Sequence, residues 1–150
     1  MGTRHKGPPS EVRALNGFIK LTRAAESTGA RLAGLLTDAN LTESQFGVLE
    51  ALYHLGPMHQ CDLATKLLRS SGNITLVLDN LEKRKLVRRQ RETDDRRYIT
   101  VHLTREGERL IRAVFPRHVA NIVQVMSVLA PGEQEELARL CRKLGLQEPG

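Results

Sequence analysis

Between Ser70 and Arg97 the sequence concentrates side chains that could meet phosphates and base edges. Ser70, Ser71, Asn73 and Thr75 supply short hydrogen-bonding groups, and Asp79, Asn80, Lys83 and Arg84 continue the segment. Further on, Arg91, Arg96 and Arg97 are interleaved with Glu92, Asp94 and Asp95. Hydroxyls and amides can read base edges, whereas an arginine fork grips phosphates or enters a narrow minor groove of enhanced negative potential. A solvated helix face offers the same residues. The elements that position them must decide between the two.

Ile74, Val77, Leu78 and Leu81 stand at i, i+3, i+4 and i+7, which predicts a helix from Ser71 to about Lys85 with its polar groups on the other face. At 1.5 Å per residue it is roughly 22 Å long and fits a major groove about 12 Å wide, its first turns toward the bases. A short helix from about Gln60 to Leu68 precedes it, burying Leu63, Ala64 and Leu67 with Asp62 in the first turn. Between the two stands Arg69-Ser70-Ser71-Gly72, whose serines can cap the second helix. After Leu86 the period changes. LVRRQR and YITVHL read as strands and ETDD as the turn between them. A helix, a turn, a polar-faced helix and a charged hairpin together make a winged helix.

The flanks are helical. Residues 1–10 read as a loose tail, and a helix from Glu11 to about Leu36 carries Phe18 and Ile19 on its apolar positions and a slim middle at Ala24, Ala25, Gly29, Ala30 and Ala33. Thr42 and Gln45 form a capping box for a helix that buries Phe46, Leu49 and Leu52 and stops before Gly56 and Pro57. Thr104 can cap a long helix containing Ile111, Val114, Phe115 and Val119, with a kink expected at Pro116. Pro131 opens a last helix for which Gly145 is the expected C-cap.

The 150 residues suit one compact protomer, and 40% hydrophobic residues can supply its core. A formal charge of +6 favours an anionic partner, nucleic acid or an acidic membrane. No apolar run approaches the roughly 20 residues of a membrane span, and the opening MGTRHKGPPSE lacks a secretory signal's apolar core, so a cytoplasmic protein is expected. Cys61 and Cys141 have no CxxC or Cys/His metal spacing. The expectation is two reduced thiols, no metal and no cofactor, with Cys61 packing as a small residue rather than sensing oxidants. None of the five histidines forms HExxH, and neither a P-loop nor GxSxG is present, which argues against an enzyme.

The order of parts resembles the MarR family of bacterial transcriptional regulators. The resemblance rests on GPMHQCDLATKL leading into RSSGNITLVLDNLEKRKLVRR, on DDRRYITVHLTREG, and on APGEQEEL before the last helix. It implies a mainly α (α+β) fold in which residues 41–104 form the winged helix-turn-helix lobe. Residues 11–36 and 105–146 would interlock with those of a second copy as a homodimer. It also implies double-stranded DNA as partner, with a palindromic operator released on a signal, most simply by a repressor. The family's Asp-x-Arg wing signature falls on Asp95 and Arg97, so that Arg97 would enter the minor groove with Asp95 orienting it, while Arg91 and Arg96 are expected on phosphates.

Relatives often take small aromatic or phenolic acids between the dimer helices and the DNA lobe. Phe18, Phe46, Tyr53 and His118 are the candidates here, each also readable as core or as a satisfied interface residue. Three positions depart from the common pattern. His59 replaces a better cap, Ala130 lacks a side-chain cap before Pro131, and Lys85 stands where glycine is usual, so the end of the recognition helix is expected to close differently. Two other readings stay open: a cysteine-based redox sensor of the same fold, and a winged-helix module that binds proteins.

Overall fold

The computed structural model describes residues 2–67 and 71–147. The chain runs α1 (Pro9–Leu36), a short 3-10 turn at Thr37–Ala39, α2 (Glu43–Leu55), β1 (Met58–His59), α3 (Gln60–Lys66), α4 (Ser71–Lys83), β2 (Val87–Arg91), β3 (Ile99–Leu103), α5 (Arg105–Met126) and α6 (Pro131–Leu146). It is the mainly α, winged-helix arrangement that the periodicity predicts. The strands form one antiparallel sheet in the order β1-β3-β2, with Arg89 opposite Val101 and Met58 opposite Val101 on the other side. The two-residue strand β1 has no period to betray it in the sequence.

Fully buried leucines and branched side chains from the lobe's helices and hairpin meet one from α5 in a single core: Val48 and Leu49 of α2, Leu63 of α3, Ile74, Leu78 and Leu81 of α4, Val87 and Val101 of the hairpin, and Ile111 of α5. The stripe that defined α4 in the sequence is therefore what seats it, and the opposite face is left to solvent. Gly107, buried at the start of α5, permits a close approach that a side chain would block, since a Cβ there would run into the Leu86 carbonyl and Leu103.

Local chemistry sets the boundaries. Thr42 accepts from the Gln45 N–H at 3.1 Å while Gln45 accepts from the Thr42 N–H at 3.0 Å, the reciprocal box expected for α2. Thr104 caps α5 through the Gly107 N–H at 3.1 Å. Ala130 has no cap to give, but Glu133 reaches back to the Ala130 N–H at 2.8 Å and supplies the other half of the box.

Several expected boundaries move. α1 starts at Pro9, using proline in its first turn, rather than at Glu11. α3 ends at Lys66, with Leu68 outside the described residues. α4 ends at Lys83, not Lys85. α5 runs continuously through Pro116. The expected C-cap Gly145 is helical, and Gln147 takes the left-handed cap at φ 55°.

The end of α4 corrects a further expectation. Lys85 adopts φ 61°, the Lys85 N–H donates to the Glu82 carbonyl at 2.9 Å, and the Leu86 N–H to the Leu81 carbonyl at 2.9 Å. That is the closure glycine ordinarily makes, here forced on a lysine. The Thr104 hydroxyl then holds the Lys85 carbonyl at 2.7 Å and pins the turn to the start of α5.

Candidate nucleic-acid interface

The described part of the predicted reading face lies on the outer side of α4. Ser70 lies outside the described residues and Ser71 is the first residue of α4. Asn73 and Thr75 are exposed, and the Thr75 hydroxyl accepts from Gln60 Nε2 at 3.1 Å, which ties α4 to α3. Two other members of the polar face prove to be spent on the fold. Asp79 pairs with Arg89, and Arg84 turns back to donate to the Asn40 carbonyl at 2.8 Å. Sequence periodicity put both on the polar face, but Arg84 lies past the end of α4 and folds back, and no local pattern shows partners that come from other elements.

Arg89 is the strut between the recognition helix and the wing. From β2 its guanidinium donates to Asp79 at 2.5 Å and Glu82 at 3.1 Å, while its backbone N–H donates to Glu82 at 2.8 Å. These bonds hold the Glu82 carboxyl below its usual range and push the Arg89 guanidinium upward despite partial burial. The run VRRQR gave no sign which arginine would turn inward, because that depends on strand register.

The wing turn is built around Asp95. Its carboxylate accepts from the Arg97 N–H at 3.1 Å, from Arg97 Nε at 3.0 and 3.1 Å, and from Arg97 Nη2 at 2.6 Å. The first effect on Asp95 is the Arg97 side-chain bond, which keeps its carboxyl low. Arg97 is still 83% exposed, so the bidentate pair presents the guanidinium outward instead of burying it. Arg91 donates from Nη1 to the Arg96 carbonyl at 2.5 Å and braces the turn, while the Arg96 side chain is exposed. Tyr98 stacks on His59 with ring centroids 4.6 Å apart and 20° between planes, joining the wing to the start of α3. The sequence reading missed this contact.

The four effector candidates do not form one site. Phe46 is core and lies 4.2 Å, centroid to centroid, from His118. Burial lowers the pKa of His118, and its buried Nδ1 has no hydrogen-bond partner among the described residues, so the satisfied histidine expected there is not what stands in the subunit. Tyr53 lines a different, open cleft of about 740 Å³ with His54, Glu108, Arg112 and Phe115. Phe18 is 67% exposed on α1.

The cysteine expectation changes too. Cys61 is exposed, not packed, with Sγ 3.9 Å from Asp62 Oδ1, and Cys141 is also exposed. His59, Cys61 and Asp62 bring one ligand atom each within 4.8 Å of one another, a grouping the spacing rules did not flag. No single helix among the described residues is long and apolar enough to cross a membrane.

A helix-turn-helix whose second helix shows a polar face, strutted to a wing that displays an oriented arginine, defines a winged-helix DNA-binding protein. The chain belongs to the MarR family, whose model matches residues 41–99. It is 34% identical over 134 residues to the HTH-type transcriptional regulator MhqR of Bacillus subtilis, covering 89% of this chain and 92% of that protein. Bordetella bronchiseptica BpsR, whose DNA binding is regulated by 6-hydroxynicotinic acid, superposes with a TM-score of 0.77 at 28% identity, covering 83% and 95% of the two chains. The fold also matches Sco3205 of Streptomyces coelicolor, a MarR family regulator solved in complex with DNA, at a TM-score of 0.85 and 23% identity over 99% and 95% of the chains. This chain is accordingly a DNA-binding transcriptional regulator and not an enzyme.

Proposed function

We propose that the chain acts in the cytoplasm as a homodimeric repressor that occupies a palindromic operator and leaves it when a small aromatic or phenolic acid binds. The observation that carries this reading is the joint presentation of the outer face of α4 and the Asp95-oriented Arg97 on one lobe. α4 lies in the major groove, Asn73 and neighbouring groups meet base edges, Arg97 reaches the adjacent minor groove, and Arg91 and Arg96 contact phosphates.

Dimerisation is supported by apolar side chains that the isolated subunit leaves uncovered on α1, α5 and α6. Phe18 and Val123 are 67% and 62% exposed, and Leu137, Leu140 and Leu144 line α6 outside the core. Large apolar side chains left uncovered on three helices mark an interface. The effector reading is favoured by the cleft beside Tyr53 and Phe115, where aromatic walls adjoin Arg112, whose guanidinium pairs with Glu108 of the same cleft at 2.9 Å and which an acid would have to share with that carboxylate. The regulation of BpsR by an aromatic acid is of the same kind.

The test is binding of the purified chain to a duplex selected from a randomised pool, measured by fluorescence anisotropy across salt concentrations. Affinity that falls steeply with salt and is competed poorly by unrelated duplex supports the reading. A protein-interaction module would show neither.

A further inference from the structure

The recognition helix carries one residue that neither its amphipathic pattern nor the polar readers explain. Leu76 is 62% exposed in the middle of α4. It lies two residues from each of the buried Ile74 and Leu78, and since two residues turn a helix by about 200°, it points nearly opposite both. Most of the other large apolar side chains left exposed lie on α1, α5 and α6, where a second subunit would cover them, but Leu76 shares its face with Gly72, Asn73, Asn80 and Lys83. Helical side chains lean toward the N-terminus, so Leu76 reaches over Gly72, where even a Cβ would meet nothing within 4 Å. An apolar knob therefore stands uncovered at the centre of a polar face.

We propose that Leu76 is a specificity-determining residue that packs against the 5-methyl group of a thymine in each operator half-site. This rests on the reading of α4 as the helix in the major groove. The groove floor is polar except for the thymine methyl, which is its only apolar landmark. A leucine pressed on cytosine at the same place would desolvate the exocyclic amino group without offering it an acceptor. The contact selects T·A over C·G with no hydrogen bond, and it explains why an exposed leucine sits where groove-facing helices carry polar groups.

The experiment uses a duplex selected from a randomised pool by the wild-type full chain, with each thymine replaced singly by deoxyuridine, which lacks only the methyl. Loss of one buried methyl predicts about fourfold weaker binding at one thymine per half-site and no effect elsewhere in the contacted groove. Leu76→Ala, which loses the contact in both half-sites, should bind the parent duplex about as weakly as wild type binds a duplex carrying deoxyuridine at both equivalent thymines, about sixteenfold below the wild-type pairing, and should not distinguish the parent from the deoxyuridine duplexes. Leu76→Met should still distinguish them. Wild type indifferent to deoxyuridine at every position overturns the proposal while leaving the DNA-binding reading intact, and this arm needs no variant. An equal deoxyuridine penalty in wild type and Leu76→Ala overturns it as well, because the methyl is then read by another group. If the wild-type chain selects no duplex, both readings fall together.

Discussion

Asp95 holds Arg97 at both ends, accepting the backbone N–H at 3.1 Å and Nη2 at 2.6 Å, so the wing turn and the direction of the guanidinium are fixed by one carboxylate. Arg97→Ala should weaken operator binding and reduce the preference for A·T-rich flanks, because narrow minor grooves lose their cation. Arg96→Ala, at an exposed side chain, should weaken all sequences alike and lower the salt slope by about one phosphate contact. Anisotropy titrations on A·T-flanked and G·C-flanked duplexes distinguish the two. Wild-type affinity in both variants at physiological salt contradicts the wing assignment.

Arg89 should matter for stability as well as for affinity. Its bonds to Asp79 and Glu82 join β2 to the recognition helix, with the arginine side chain only 20% exposed. Charge-assisted bonds of this kind, discounted for the more exposed carboxylates, predict that Arg89→Ala destabilises by about 1–2 kcal/mol in urea unfolding. An unchanged midpoint would show that the strut is ornamental.

Lys85 pays for its φ of 61° with backbone strain that glycine does not have. Lys85→Gly should therefore stabilise the chain by about 1 kcal/mol, the usual cost of the left-handed region for a residue with a Cβ. A lower melting temperature in that variant would mean that the lysine side chain contributes something the turn geometry does not reveal.

Burial lowers the pKa of His118, with Glu50 and Glu43 pulling weakly the other way. The sign follows from linkage. The unfolded chain takes up a proton near pH 6.5 and the folded chain resists it, so stability is fully present above that pH and is lost as pH falls below it. His102 is depressed as well, by burial first and then by Arg88, and contributes in the same direction. His118→Phe keeps a ring against Phe46 and leaves His102 in place, so thermal melts between pH 7.5 and 5.5 should show a smaller acid loss than in wild type. An identical acid loss would contradict the assignment.

The parts of this molecule that depend on period were legible in the chain: the stripe Ile74, Val77, Leu78 and Leu81, the capping box at Thr42 and Gln45, and the alternation of the two wing strands. Asp95 and Arg97 were legible as a pair through the resemblance to the family's Asp-x-Arg wing signature, in which a single residue stands between them. What required the fold was pairing over distance. Arg89 turned inward to α4, Arg84 folded back to Asn40, and Tyr98 found His59, contacts set by strand register and helix docking that no local pattern encodes. The strand Met58–His59 was too short for a period, and Gly145 read as a helix end because its freedom resembles a cap's, although the left-handed residue is Gln147. Leu76 was overlooked because an apolar residue off the stripe reads as noise until its exposure is known.

The account as a whole turns on two copies of α4 meeting one operator. Footprinting of the selected duplex, combined with the molar mass of the complex from light scattering, tests this most directly. The prediction is two chains per duplex protecting two related half-sites centred roughly 34 to 36 Å apart, one helical turn of DNA. Protection of a single unpaired half-site by one chain would contradict it.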